Sequence, residues 1–280
     1  MSRGALLGPG TVSWKVNREG TLLAGGGRAL LLQVAHPLVA AGVAQHSNYQ
    51  AEPWQRLYRT MDTMLKIAFG DRQTSEGAAK RLSRRHGPVK GTAPDGRPYN
   101  AMDPALLIWV WATLVDSSVL VHGLLFEPLS EADRERFLAE QQLLAHACGV
   151  PEGAGPNSWT EFRDYFDRVV AQELEVTEAA RAVADSISDP KMLPRPFGDP
   201  AVKISRALTA GLLPESVREA YGYSWDAAER RRFRRTIAAG RAGVRITPGP
   251  LRRLPATILS RPPRRQKPAS APAGVPGAAA

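Results

Sequence analysis

The chain is poor in several residue types, and each shortage excludes a class of protein. Its 280 residues include a single cysteine, Cys148, which excludes an internal disulfide framework and a cysteine-rich zinc site. A lone cysteine is typical of a reducing compartment, and the first residues lack the apolar core of a signal peptide, so we expect a cytoplasmic protein. Apolar residues make up 43% of the chain, which excludes a wholly disordered polypeptide.

Lysine is scarce, and the positive charge that arginine supplies is unevenly placed. The formal net charge is +10, but residues 226–280 alone carry +11, which leaves −1 for residues 1–225. A composition rich in arginine and alanine is also typical of a GC-rich genome, so the charge does not by itself indicate a nucleic-acid partner. We expect the chemistry in the near-neutral residues 1–225, no bound nucleic acid, and peripheral contact with a membrane as a role for the basic end.

Long hydrophobic runs are limited to residues 105–126. Because Asp116, Ser117 and His122 interrupt this run, it indicates a buried core helix rather than a membrane span. Proline, capping and glycine signals delimit further helices, while no alternating β-pattern exceeds a few residues. The predicted helices cover about 54–69, 75–85 with Ser75 as cap, 105–125, 130–148, 158–174, 200–213 and 224–243 with Ser224 at the start.

The sequence therefore predicts a single all-α domain over residues 14–255. A Pro/Arg/Ala-rich tail, residues 256–280, has little to bury and is predicted to be disordered. The loop from Gly87 to Asn100 is predicted to contain one reverse turn, at Asp95-Gly96.

The familiar catalytic motifs are missing: the chain has no nucleophile elbow, Walker A loop or His-Glu-x-x-His. Its only glycine cluster, residues 25–27, indicates a hinge or a close contact between helices. The five histidines are never three or four residues apart, so that no helical dinuclear metal site is predicted. Oligomeric state does not follow from these features.

Two polar features stand out against this background. Arg56 and Thr60 are four residues apart, so they share one face of a predicted helix, with Arg59 beside them. His86 ends the next predicted helix, before a Gly-Pro break. Each has an ordinary explanation, since the first fits a solvated face and a histidine at a helix C-terminus commonly interacts with the helix dipole.

Taken in order, the segments around these residues resemble the catalytic domain of the MpaB and latex-clearing rubber oxygenase family. The resemblance covers about residues 14–255. The matching segments are residues 28–37, 42–47, 56–60, 86–91, 99–104 and 109–116, followed by 128–130, 212–218 and 221–225.

The resemblance implies a globin-like helical core that binds haem b. By that likeness His86 is the ligand of the iron, Arg56 and Thr60 are the catalytic pair beside the pocket, and Arg59 contacts the cofactor. Imidazole is a good iron ligand, and a cation with a hydroxyl can stabilise dioxygen. The implied activity is that of a haem-dependent oxygenase acting with dioxygen on an apolar, isoprenoid or lipid-like substrate, held in an apolar pocket such as residues 109–121 supply.

Two departures from the family pattern keep the alternatives open. Some relatives have a lysine that reaches the iron near the position of Arg59, and arginine cannot take that role because it stays protonated. Many relatives also have histidine where this chain has Trp111. A non-catalytic haem sensor or electron carrier is the first alternative.

The second alternative is a helical nucleic-acid or membrane-surface binder that uses the arginines of residues 230–235. In that helix Phe233, Ile237, Gly240 and Val244 form one apolar stripe, which indicates docking on the domain's own core with the arginines facing solvent.

Overall fold

The computed structural model describes residues 7–47, 53–187 and 198–254, and over these residues the chain is helical apart from one small β-hairpin. The predicted all-α class is confirmed, while the predicted tail, residues 256–280, lies outside the described residues. The elements are α1 (Val12–Asn17), a 3₁₀ helix (Gly20–Gly25), α2 (Gly26–Ala35), α3 (Pro37–His46), α4 (Pro53–Phe69), α5 (Arg72–His86), β1 (Lys90–Thr92), β2 (Pro98–Asn100), α6 (Pro104–Leu125), α7 (Glu131–Ala147), α8 (Trp159–Gln172), α9 (Glu178–Ile187), α10 (Gly198–Leu212), α11 (Glu215–Ala220), α12 (Ala227–Ile246) and α13 (Gly249–Arg252).

Helix α6 is the centre of the hydrophobic core. Asp103 caps its first turn by accepting a hydrogen bond from the Ala105 amide. It packs against α2, α7 and α8, and the indoles of Trp109 and Trp111 donate hydrogen bonds to the carbonyls of Leu32 and Gln141. By length and composition α6 could cross a membrane, but more than half of its apolar stretch is buried within the protein. The structure therefore supports the core-helix interpretation.

Two of the polar residues that interrupt α6, Asp116 and Ser117, take part in a buried ion-pair cluster. Arg28 on α2 contacts Asp116 at 2.6 Å, donates to Ser117 Oγ at 2.7 Å, and donates to the Leu212 carbonyl at 2.7 Å. Arg163 on α8 pairs with the other carboxylate oxygen of Asp116. The side chains of Arg28 and Asp116 are only 4% and 9% exposed, so each neutralises a charge that would otherwise be buried alone.

Helices α4 and α5 form a hairpin whose connection is only Gly70 and Asp71. Asp71, rather than the predicted Ser75, caps α5 by accepting a hydrogen bond from the Thr74 amide at 2.7 Å. Ser75 is buried instead, and its hydroxyl lies within hydrogen-bond distance of the Lys66, Ile67 and Gly70 carbonyls at the end of α4. A methyl group at Gly70 would lie 2.5 Å from the Lys66 carbonyl oxygen, so the tight connection requires glycine.

The loop after α5 contains an antiparallel β-hairpin that the sequence did not predict. Gly91 pairs with Tyr99 in the register, and Gly96 adopts a φ of 86° at the predicted turn. With three residues in each strand, the alternating pattern is too short to be read from sequence. The turn is therefore confirmed, and the surrounding loop is corrected to a hairpin.

Helix α12 packs its apolar stripe on the core, as its sequence predicts. Phe233 and Ile237 are partly buried and Val244 is buried in a cluster with Leu125 and Leu212. The cap is Asp226 rather than Ser224, because its carboxylate accepts hydrogen bonds from the Ala228 and Glu229 amides.

The glycine cluster makes the close contacts that its composition predicts. A methyl group at Gly25 would lie 3.1 Å from the Val121 side chain, and one at Gly27 would lie 2.5 Å from Thr209 Oγ1.

The last described helix returns to the beginning of the chain. Glu19, whose side chain is 5% exposed, accepts hydrogen bonds from Arg252 at 2.9 Å and from Arg253 at 2.6 Å. Residues separated by more than two hundred positions are thereby joined in one ion-pair cluster.

Candidate functional site

The α4–α5 hairpin brings the predicted site residues to one end of a helix pair. Because the connection is two residues long, the helices run antiparallel, and the start of α4 lies beside the end of α5. A cleft lined by Asp62 and Lys66 of α4 and by Arg81 and Arg85 of α5 shows this pairing directly. Residues 56–60 therefore lie near the same open end of the hairpin as His86.

The structure describes the three α4 residues to different extents. Arg56, Arg59 and Thr60 all belong to α4, and their spacing places Arg56 and Thr60 on one helix face. Thr60 is exposed. The side chains of Arg56 and Arg59 lie outside the described residues.

His86 is the last residue of α5 and is half-buried. Burial lowers the pKa of its imidazole below the ordinary value, so the ring is neutral at pH 7. A neutral imidazole carries the lone pair that metal ligation requires. Its carbonyl accepts a hydrogen bond from the Val89 amide at 2.9 Å, which ties the end of α5 to the segment that enters β1.

A tyrosine clamp, formed by Tyr99, Gln45 and His46, anchors the β-hairpin to the end of α3. The buried Tyr99 hydroxyl donates to Gln45 Oε1 at 2.6 Å and lies 3.1 Å from His46 Nε2, and Gln45 Nε2 donates to the Thr92 carbonyl at 3.0 Å. The Ala101 amide also donates to the Val89 carbonyl. The clamp therefore fixes the segment that leads away from His86.

Sequence reasoning missed the role of this clamp, although Gln45, His46 and Tyr99 lie within the segments that carry the family resemblance. The signal that could have indicated it is the pair of glycines facing the ring. A methyl group at Gly91 would lie 2.8 Å from the Tyr99 hydroxyl, and one at Gly42 would lie 3.5 Å from its ring. Small residues at both positions allow the ring to pack closely.

The other described histidines are dispersed over the fold. His36 is buried at the bend between α2 and α3, His122 stacks on Phe126 in α6, and His146 lies within hydrogen-bond distance of the Val150 carbonyl. Among the described residues, no group of three or more His, Cys, Asp or Glu side chains could hold a metal ion.

Cys148 is a neutral thiol in its buried environment. It is partly buried beside Leu144 and Ala147, and burial raises the pKa of its thiol to about 11. Thiolate is the form that binds metals, so at pH 7 this side chain is a neutral thiol.

The apolar pocket expected from residues 109–121 is not formed by their side chains. Trp109, Val115 and Val121 are buried in the hydrophobic core, where they pack against neighbouring helices. The cleft between α4 and α5 has a volume of about 90 Å³ and charged walls, so it is too small and too polar to hold a macrocycle. The cleft therefore does not fit a haem. The ligand chemistry does, because His86 offers one neutral imidazole to the iron and a porphyrin supplies the remaining nitrogen ligands.

These features define an all-α protein whose candidate site is a single half-buried histidine at the open end of a helix hairpin. Residues 14–242 match the family described as ER-bound oxygenase mpaB/B'/Rubber oxygenase, catalytic domain. The chain therefore belongs to this family of oxygenase catalytic domains, as its sequence motifs predict.

Two mycobacterial proteins are similar to the chain over most of its length. They are "Uncharacterized protein Rv2237" of Mycobacterium tuberculosis and "Uncharacterized protein Mb2261" of Mycobacterium bovis. Each is 29% identical over 227 residues, which cover 78% of this chain and 87% of the relative. No solved structure matches the chain.

Proposed function

We propose that the chain is a haem-b-dependent oxygenase that uses dioxygen to oxidise an apolar substrate of isoprenoid or lipid type. The observation that carries the proposal is the position of His86. It ends α5 as a neutral imidazole at the end of the hairpin where Arg56 and Thr60 lie. Membership of an oxygenase family supports the reaction class.

A single histidine suits a macrocycle better than a bare ion. A metal bound only by protein side chains needs three or four ligands, whereas haem iron needs one from the protein. When bound, the haem would supply the redox chemistry with dioxygen. His86 would hold the iron, and the tyrosine clamp would keep the backbone that follows His86 in place.

The α4 residues would supply charge and hydrogen bonds at the same end of the hairpin. Arg56 is cationic at every physiological pH and would stabilise negative charge that develops on the reacting oxygen atoms. The Thr60 hydroxyl can donate or accept a hydrogen bond. Arg59 would contribute a positive charge to cofactor binding, and it cannot act as an iron ligand because it does not lose its proton.

The test is the absorption spectrum of purified protein supplied with haem. We expect a Soret band that the H86A variant loses while its far-ultraviolet circular dichroism stays unchanged. His146 provides the matched control because it is also half-buried in the last turn of its helix, so H146A should keep the band. A wild-type protein that shows no Soret band would refute the proposal, and an unchanged band in H86A would refute the assignment of the ligand.

The pH dependence gives a second readout of the same site. Because burial lowers the pKa of His86, its imidazole stays neutral at pH values below the ordinary histidine pKa of about 6.5. Haem should therefore stay bound below pH 6.5 and be released only as the pH falls to the lowered pKa. Oxygen consumption with prenyl and lipid substrates then separates the two haem hypotheses. Bound haem without consumption would favour a sensor or electron carrier.

A further inference from the structure

The outward face of α12 consists almost wholly of arginine and alanine. Arg231, Arg234, Arg235 and Arg245 are exposed, while the opposite stripe packs on α6 and α10. In the described residues none of these four guanidinium groups forms an ion pair or a side-chain hydrogen bond. Over the described residues, α12 therefore presents a cationic face about four turns long whose four arginines form no ion pair.

Exposed aliphatic side chains gather at the end of this face. Ile246 is 81% exposed, Leu251 is 62% exposed and Leu254 is 48% exposed. The described residues contain six large exposed hydrophobic side chains, and these three fall within nine consecutive residues. Isolated exposed leucines are ordinary, but three exposed aliphatic side chains within nine residues, directly after an arginine-rich helix, indicate an interaction surface.

An open groove runs along one side of α12, next to Leu124 of α6. Its volume is about 510 Å³, and it is lined by the apolar side chains of Leu124, Phe233 and Ile237 and by Arg234, Arg241 and Arg245. Arg241 is held in place because its Nε donates to the Leu124 carbonyl at 2.5 Å. The groove thus combines apolar and cationic side chains.

We propose that the face formed by α12 and residues 246–254 docks on the surface of an anionic lipid bilayer. Arginines at a bilayer surface attract acidic headgroups, while aliphatic side chains enter the boundary between headgroups and acyl chains. The charge distribution favours an anionic bilayer as the binding partner, since residues 226–280 carry +11 and the remainder of the chain carries −1. Attraction to a negative surface would therefore orient the molecule with α12 towards it.

The same observations favour a bilayer over nucleic acid. Single-stranded nucleic acid is bound through exposed aromatic rings, and the only aromatic residue of α12, Phe233, packs edge-on against Trp225. Exposed isoleucine and leucine gain nothing against a phosphate backbone, whereas they gain burial at a lipid interface. The proposal does not depend on haem or on oxygenase activity.

Co-sedimentation of the full chain with vesicles tests the docking face. Vesicles of phosphatidylcholine mixed with phosphatidylglycerol should bind the protein, pure phosphatidylcholine should not, and added salt should weaken binding. Each arginine near an anionic surface contributes roughly fivefold to affinity, so R231A/R234A/R235A should bind about 100-fold more weakly. The control K15A/K80A/R136A removes the same charge from exposed positions on α1, α5 and α7 and should bind like the wild type.

The aliphatic contribution is tested separately with I246S/L251S. Loss of two inserted side chains should weaken vesicle binding by at least roughly tenfold, and both positions are exposed, so folding should be unaffected. The proposal is overturned if acidic vesicles do not bind the wild type, if the control loses as much as the arginine variant, or if I246S/L251S binds vesicles unchanged. Tight binding to duplex DNA without binding to vesicles would also overturn it.

Discussion

Removal of the Asp116 carboxylate should destabilise the protein more than the loss of any single exposed charge. The Arg28 side chain is 4% exposed, and in D116A its guanidinium would keep Ser117 Oγ and the Leu212 carbonyl as hydrogen-bond acceptors but would lose the carboxylate that balances its charge. An uncompensated charge in such a position costs about 3–5 kcal/mol of unfolding free energy. Arg163 adds little to this cost because its side chain is 37% exposed and can be solvated.

Thermal unfolding followed by circular dichroism measures this effect. At about 2–4 °C per kcal/mol for a domain of this size, D116A should lower Tm by about 6–20 °C. The matched control is D167A, because Asp167 pairs with the same Arg163 on α8 but is 65% exposed, so its loss should cost about 0.5 kcal/mol or less.

A second variant distinguishes the charge effect from lost packing. In R28M/D116A both members of the pair are neutral, so the double variant should lose much less stability than the two single losses added together. Equal destabilisation by D116A and D167A, or strict additivity in the double variant, would refute the ion-pair account.

Two further predictions concern groups near the candidate site. Y99F removes the donor to Gln45 Oε1 and should lower the free energy of unfolding, measured in urea, by about 1–2 kcal/mol. The control Y165F should be nearly neutral because the Tyr165 hydroxyl makes no hydrogen bond within the described residues. Equal losses of stability in the two variants would contradict the clamp. The folded-state pKa of Cys148, about 11, exceeds that of a free thiol, so the native thiol should react slowly with disulfide reagents at pH 8. The neutral buried thiol also contributes to the free energy of unfolding. This contribution is complete below about pH 8.5, the pKa of an unfolded thiol, and should decline as pH rises through 11. Labelling at the rate of an unfolded control would contradict the burial of this thiol.

The sequence predicted the helices well where a capping residue lies next to the helix end that it stabilises. Ser158 accepts from the Glu161 amide and Ser130 from the Asp133 amide, as their spacing indicates. The errors arose where two candidates compete. Asp71 and Ser75 are both good caps, and the choice depends on whether the serine hydroxyl finds the carbonyls at the end of α4, which sequence does not show.

The candidate site divides in the same way between local and distant information. The common face of Arg56 and Thr60 follows from helical periodicity, and the nearness of α4 to His86 follows from a short connection. The tyrosine clamp could not be predicted, because Tyr99 and Gln45 are 54 residues apart and their contact depends on how the helices pack. The function of these residues was indicated by family resemblance rather than by periodicity.

The cluster of Glu19 with Arg252 and Arg253 has a consequence for synthesis on the ribosome. The carboxylate is made early, while its two arginines follow 233 and 234 residues later. Until they emerge, the segment around Glu19 cannot adopt its buried position without an unpaired charge. We therefore expect α13 to pack against the segment around Glu19 only after Arg252 and Arg253 have left the ribosome.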